Sequence, residues 1–465
     1  MDHKRLDSSQ KDFLIAAQAE TIRSQAAINA TLTAQVAMLL ARVAELEAKL
    51  SLPPKTPGNS SIPPSKGQKP GCKPDNETKS RPKTRAHPGV CRELHPNPTA
   101  QRDIRAQACQ HCGTDVSGLS QIACQTYDHI EIPVTRPDIT RVTLRGGVCP
   151  CCAKNFRAGP PADMPGGSPF GPNLRAYVIY LRFTQNIALE RLATLLFDFF
   201  GLEISEGALV NMLNAAQKPF ASAASAIKVR LLAGTALQSD ETGMRVGKNN
   251  WWFWVFHHGK DAVFVCEPTR GKIVVETFLG PFRPEYWVSD RYAGQLGFAT
   301  KANQVCLAHL IREAQYAVDA GDIIFAPRLR HLLGLACRIG AHREKLKDST
   351  LKAYLAKLDK KLDVLMATQP VCARGLKLQA MILRTRCHLF TFMTNRAIPP
   401  TNNGSERALR PSAVFRKVTN GFRTSWGSQL YANIRSVTET GRRNTIGALE
   451  AISQALKATP MPKTA

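Results

Sequence analysis

Residues 235–266 read TALQSDETGMRVGKNNWWFWVFHHGKDAVFVC, and this stretch decides the fold. Thr235 to Ser239 is a short run that delivers Asp240 at its end. Trp251 to Phe256 is an aromatic run, His258-Gly259-Lys260 a turn, and Ala262 to Cys266 a second apolar run. A hairpin this apolar has no face to turn to water, so the pattern predicts central strands. Ile273 to Phe278 has helical spacing, and Tyr286 to Ser289 is a further strand that delivers Asp290. Strand, hairpin, helix, strand is the order of a ribonuclease-H-like α/β core, whose first part is expected over residues 233–303.

Towards the C-terminus, strand signals vanish from about 304 to 398, where Leu, Ala, Arg and Lys recur at helical spacing. This is a long all-helical insertion. The core resumes over 399–465, where Glu406 opens a helix in Asn-Asn-Gly-Ser-Glu-Arg. Asn403 and Glu406 stand three apart, as N-cap and partner in a capping box. Pro411 is expected to limit that helix. Arg407, Arg410, Arg416, Lys417, Arg423 and Arg435 follow, with Trp426 and Tyr431 between them. Basic side chains suit phosphate contacts, and aromatic ones can stack on unpaired bases.

Asp240, Asp290 and Glu406 are therefore three carboxylates delivered by separate elements. Hard Mg²⁺ or Mn²⁺ ions take such oxygens and keep water and phosphate as further ligands. Two ions roughly 4 Å apart can support in-line displacement at phosphorus. Each acid has a plainer reading as well: Asp240 can cap a turn or yield its role to Glu241, Asp290 can pair with Arg291, and Glu406 can serve its own cap. Cys306, His309 and Arg312 share a helix face at three-residue offsets. That face either brings His309 to the scissile phosphate and Arg312 to DNA, or buries a core Cys and a satisfied His.

Towards the N-terminus, residues 166–232 read as helices. Leu189, Leu192, Leu195, Leu196 and Phe199 mark an apolar face, Gly201 a stop and Ser205 a cap. The pattern fits a helix-turn-helix or a helical hairpin that supports the next domain. Within 101–165, Cys109-x-x-Cys112 and Cys149-x-x-Cys152 have the spacing of a tetrahedral four-Cys Zn²⁺ site, with Cys151 adjacent to the second pair. Tyr127 to Ile132 is expected as a strand between them. Residues 51–100 form a Pro-rich basic linker, able to track a DNA backbone or serve only as a spacer. In residues 1–50, Leu32, Val36, Leu39, Val43, Leu46 and Leu50 make a heptad seam, continued backwards through Asn29, Gln25 and Ile22. A coiled coil joining a homodimer or larger assembly is expected, against an amphipathic helix packed on its own domain.

Lys and Arg number 62 against 36 Asp and Glu, a formal net charge of +26 over 465 residues. Such an excess favours a polyanionic partner. A membrane is the weaker reading, because no apolar run is expected to approach the roughly 20 residues of a span. The N-terminus lacks the apolar core of a secretory signal, which points to the cytoplasm and association with the nucleoid. Thirteen cysteines in so long a chain do not suggest a disulfide scaffold.

These features together resemble the transposase family of insertion sequence 66. The likeness runs through Asn59-Ser60-Ser61 and Pro63-Pro64-Ser65, His87-Pro88-Gly89, both Cys pairs, Asp240-Glu241-Thr242 and Ser289-Asp290. It continues through Cys306 to Arg312, Asn402-Asn403 with Glu406-Arg407, and Arg410-Pro411. The resemblance implies an Asp-Asp-Glu DNA transposase with a zinc-finger-like DNA-binding region and a helical insertion ahead of the catalytic Glu. It carries over Asp240, Asp290 and Glu406 as the triad, with His309, Arg312, Arg407, Arg410 and Lys417 as auxiliary positions. The implied partners are the terminal inverted repeats, target DNA and accessory proteins of the element. Two rival functions fit the same residues: a zinc-containing DNA-binding regulator with an inactive core, and a nuclease without strand transfer.

Overall fold

The structure, a computed structural model, describes residues 8–50, 52–60 and 92–458. The basic linker between 61 and 91, with its family-like Pro63-Pro64-Ser65 and His87-Pro88-Gly89, lies outside the described residues. The chain divides into two compact units, one of residues 1–67, 165–189 and 207–465, the other of 68–164 and 190–206.

The first helix, α1 (Ser8–Leu50), is continuous. Leu32, Val36, Leu39 and Val43 of its seam are exposed in the single chain, while the side chains of Leu46 and Leu50 lie outside the described residues. By length and composition, Asp12–Val43 is apolar enough to cross a membrane. This corrects the expectation that no run approaches such a length. Ala and Leu raise the average there, while Gln, Thr, Ser and Asn recur between them. The described head of the expected linker is folded, not extended: Asn59 is buried, accepts from the Thr56 N–H (2.6 Å), and donates to Asp319 (2.8 Å).

In the smaller unit, β1 (Gly146–Val148) pairs antiparallel with β2 (Asn155–Arg157). Tyr127 to Ile132 is irregular, not a strand. Its apolar side chains Ile130 and Ile132 are exposed, so nothing rewards pairing there. Helices follow at Pro172–Ile179 (α2), Leu189–Phe200 (α3), Glu206–Ala215 (α4) and Gln217–Leu232 (α5). Gly201 ends α3 at φ 66°, donating its N–H to Phe197 (2.7 Å). The helices expected as one region are thus divided: most of α3 belongs to the smaller unit, the others to the larger.

The larger unit is built on a five-stranded sheet. Its strands are β3 (Ala236–Val246), β4 (Asn249–His258), β5 (Asp261–Glu267), β6 (Tyr286–Ser289) and β7 (Ala302–Val305), in the spatial order β5-β4-β3-β6-β7. β4 is antiparallel to both neighbours, while β6 runs parallel to β3 and β7. Helix α6 (Lys272–Leu279) covers one face, where Phe278 stacks on Phe256 at 3.8 Å between centroids. β7 begins where the helical insertion was expected to begin. It carries Asn303 and Gln304, both buried, so the apolar pattern that betrays a strand is absent.

Both sheet edges are covered, which removes sites for stray strand pairing. At β7, Gln304 donates to Leu389 O (2.9 Å) and accepts from Phe392 N (3.1 Å). At β5, the N–H groups of Ala262 and Phe264 are taken by Thr440 Oγ1 (3.1 Å) and Ser436 Oγ (2.8 Å).

The insertion comprises α7 (Leu307–Asp319), α8 (Phe325–His342), α9 (Asp348–Met366) and α10 (Ala373–Thr385) around Leu310, Phe325, Leu333, Leu362 and Ile382. Asp322 is fully buried and accepts from the N–H groups of Ile324, Phe325 and Ala326 (3.2, 2.8 and 3.2 Å), capping α8. Gly375 of α10 lies against this cap, so a Cβ there would overlap the Asp322 carboxylate and press on Pro370. Gly375→Ala is expected to destabilise the protein by about 1–3 kcal/mol, the usual cost of overpacking, read as a lower denaturation midpoint.

The last helices are α11 (Asn403–Thr419), α12 (Ser425–Arg443) and α13 (Ala448–Lys457). Pro411 lies inside α11 and does not end it, contrary to expectation. Ala408, Leu409, Ser412 and Phe415 are buried on that helix, and their packing offsets the hydrogen bond that proline removes. Tyr431 of α12 is fully buried among Phe183, Phe253, Phe415 and Phe422. It is core, not a platform for bases. Arg435 is likewise buried and donates to Ala408 O (3.1 Å).

Candidate active site

Alternation along β3 separates the adjacent acids Asp240 and Glu241. Ser239 and Glu241 face α6: Ser239 accepts from Trp287 Nε1 and donates to Gln295, both at 2.8 Å. Glu241 is paired with Arg270 (2.5 Å) and also accepts from Gln295. Arg270 is itself held against the rings of Trp252 (5.0 Å) and Tyr292 (4.2 Å). Burial, followed by the charge of Asp290, pushes the Glu241 carboxyl up to about 7. Glu241 is therefore held in an ion pair with Arg270 on this face. β3 runs on to Val246, so Asp240 lies within the strand and not at its end as expected.

Asp240 lies on the other face, which α11 crosses. Its carboxyl is held well above the usual range by burial first, then by the charges of Glu241 and Asp290, with a further push from Glu406. Glu406, 166 positions along the chain, is thus brought within electrostatic reach. Asp290 follows the last residue of β6 and accepts from the Tyr292 N–H (2.8 Å), which fixes its turn.

The N-terminus of α11 is tied down by residues whose roles the sequence did not disclose. Asn402, not Asn403, is the N-cap. It is fully buried; it donates to Ser239 O beside Asp240 (2.7 Å), accepts from Ser405 Oγ (2.6 Å), and sends its N–H to Cys306 Sγ (3.1 Å). Ser405 in turn meets His257 Nε2 at 2.9 Å. The Glu406 carboxylate does not close a capping box. It turns to α7, where Arg312 donates to it at 3.0 Å and His309 Nε2 lies 3.7 Å away. Burial, then Arg312, lowers the His309 pKa. Arg407, Arg410 and Lys417 lie on the same helix and are exposed.

His257 carries a pH dependence. Burial, followed by the charges of Arg443, His258 and Arg407, lowers its pKa well below the ordinary value. The unfolded chain then takes up a proton near pH 6.5 that the fold refuses. Stability from this group is complete above about pH 6.5 and is lost as the pH falls, by at most about 1.4 kcal/mol per unit. His258, lowered by burial and then Arg443, acts in the same direction. Denaturation measured from pH 8 to 5 should show this loss, and His257→Asn should flatten part of it.

Among the described residues no group of three or more His, Cys, Asp or Glu side chains is drawn together tightly enough to hold a metal ion. Asp240 and Asp290 nevertheless offer the oxygen donors that suit Mg²⁺ or Mn²⁺, and a cation beside Asp240 would relieve the repulsion that raises its proton affinity.

The two Cys pairs are built alike. Cys109 N–H meets Thr114 O (2.8 Å) and Gly113 N–H returns to Cys109 O (2.9 Å). Cys149 N–H meets Lys154 O (2.9 Å) and Ala153 N–H returns to Cys149 O (2.9 Å). Gly113 and Ala153 both take positive φ, at 74° and 53°. Hydrogen bonds from Thr114 lower the Cys112 pKa, and the Cys152 and Cys151 N–H groups lower that of Cys149. Donors aimed at sulfur favour thiolates, the form that binds zinc.

The sequence profile described as Transposase IS66 family matches residues 167–430, which include all three acids and the whole insertion. Among curated proteins none matches the chain.

Proposed function

Since the chain belongs to the transposase IS66 family, we propose that it is a DNA transposase whose Asp240, Asp290 and Glu406 form one catalytic site on a ribonuclease-H-like core. The observation that carries this reading is electrostatic: Asp290 and Glu406, from distant segments, both act on the charge of Asp240. The strand order β5-β4-β3-β6-β7, with β4 alone antiparallel to its neighbours on both sides, supports the core assignment.

Asp240 and Asp290 would hold Mg²⁺ or Mn²⁺ from the sheet, with Glu406 closing the site from α11. Such ions, when bound, activate the attacking oxygen and neutralise charge at phosphorus. The chain's own part is rigid placement. Asn402 fixes the start of α11 against Ser239, and Arg312 holds Glu406 beside the aspartates until its carboxylate is needed. His309 and Arg312 are positioning residues for Glu406 in this arrangement. Arg407, Arg410 and Lys417 present cations to backbone phosphates. Water as nucleophile gives end cleavage, and a DNA 3′-hydroxyl in the same site gives strand transfer.

The two Cys pairs would share one Zn²⁺ and steady a DNA-binding module. The exposed seam of α1 would join two chains in a homodimer or larger assembly. The net charge of +26 suits terminal repeats and target DNA, and the reading keeps the protein in the cytoplasm.

Purified protein with Mg²⁺ and labelled terminal-repeat DNA tests the proposal. Cleavage at the element end that chelation abolishes is expected. Pre-cleaved ends supplied with a target plasmid separate transposase from nuclease. Specific binding with no cleavage under any divalent metal would favour the regulator.

A further inference from the structure

Next in the chain to Asp290, Arg291 belongs to a second feature of opposite charge. A cleft of about 310 Å³ lies between α7 and α10, lined by Arg291, Glu313, Tyr316, Arg374, Lys377 and Arg384 among others. Four cations face one carboxylate. On α10 the three basic residues stand three and seven positions apart, which at 3.6 residues per turn places them on one face. Arg374 is stacked over the Tyr316 ring at 4.8 Å, so its guanidinium is held in place before any ligand arrives. Arg291 reaches Glu313 at 3.5 Å, yet its Nε is buried with no hydrogen-bond partner. Among the described residues Arg374, Lys377 and Arg384 make no ion pair.

Position in the chain joins this cleft to the site. Arg291 follows Asp290 directly, and Glu313 follows Arg312, which holds Glu406. Arg291 also acts on the charge of His309. One cation of the cleft is thus the next residue after Asp290, and the cleft's carboxylate is the next residue after the partner of Glu406. Planar guanidinium groups and an ammonium beside an open cavity are the chemistry of phosphate oxygens.

We infer that the cleft between α7 and α10 is a subsite for the DNA backbone next to the cleavage point, with Arg291, Arg374, Lys377 and Arg384 gripping the phosphates that flank the scissile one. The inference rests on the transposase reading above and gives the helical insertion a direct part in holding substrate. Phosphate contacts set register without reading sequence, so the subsite acts alike on every end sequence.

The test uses the full chain with Arg374→Gln, Lys377→Gln and Arg384→Gln combined, and with the exposed Lys377→Gln alone as a variant that leaves the fold undisturbed. Binding to end DNA is measured against salt, and phosphates are mapped by ethylation interference. Each lost contact should lower the slope of log K against log salt by about 0.9, so roughly 2.7 for the triple variant and 0.9 for the single one. Affinity should fall roughly tenfold per contact. Interference should disappear only at phosphates beside the cut. An unchanged slope, or interference lost only at phosphates remote from the cut, overturns the inference. Wild-type protein that neither binds nor cuts end DNA would instead defeat the transposase reading, so the two failures are distinguishable.

Discussion

Asp290→Asn, Asp240→Asn and Glu406→Gln should each lower end cleavage by at least about a thousandfold, a loss of roughly 4 kcal/mol of transition-state stabilisation, while terminal DNA is still bound. Each amide keeps the shape of the acid and removes its charge. On the proposed reading DNA affinity would come from basic surfaces elsewhere, so a gel-shift assay should hardly change. A second readout separates charge from fold. Asp240 is half-buried, and desolvation together with the neighbouring acids pushes its pKa well up. Its neutral replacement should therefore raise the melting temperature of the metal-free protein and abolish the further rise that Mg²⁺ brings. Undiminished cleavage by any of the three variants would remove that residue from the site. A melting temperature lowered by Asp240→Asn would contradict the charge argument.

Zinc removal should have its large effect on binding instead. Small modules with four thiolate ligands draw most of their folding free energy from the metal, on the order of 10 kcal/mol or more. Among its described residues the smaller unit has two strands, each of three residues, and little buried apolar surface around its Cys pairs. Stripping zinc, or Cys109→Ser or Cys149→Ser, is expected to unfold this module and weaken end binding at least about a hundredfold, while the sheet of the larger unit keeps its melting transition. Co²⁺ substitution should give the spectrum of four thiolates and be unaffected by Cys151→Ser. A spectrum of two thiolates, or one lost with Cys151→Ser, would rule out the proposed ligand set.

Much of the five-stranded sheet was legible because its strands are dense with aromatic and β-branched residues. Trp251 to Phe256, Ala262 to Cys266 and Tyr286 to Ser289 all fall in strands. β7 escaped because its inner positions are Asn303 and Gln304; the Gln304 amide serves the backbone of Leu389 and Phe392, and the Asn303 carbonyl accepts from Thr391 Oγ1. A buried amide that satisfies a neighbouring turn looks like a surface residue on any hydropathy scale. Pro411 misled for the opposite reason: a local rule was applied where tertiary packing decides. Tyr431 and Arg435 read as a nucleic-acid face because sequence cannot tell which side of α12 turns inward. The three acids were read from their local contexts. Asn402, His257 and Ser405, which hold Glu406 in register, were not assigned a role, since their partners lie up to 163 positions away.

That stitching has a consequence for how the protein is made. During synthesis both aspartates leave the ribosome more than a hundred residues before α11, and the insertion must be finished before Asn402 can reach Ser239. On the proposed reading, a nascent or prematurely terminated chain would carry two acids and no third, and cutting power would arrive only with the final helices, which would make translation itself a safeguard for the host.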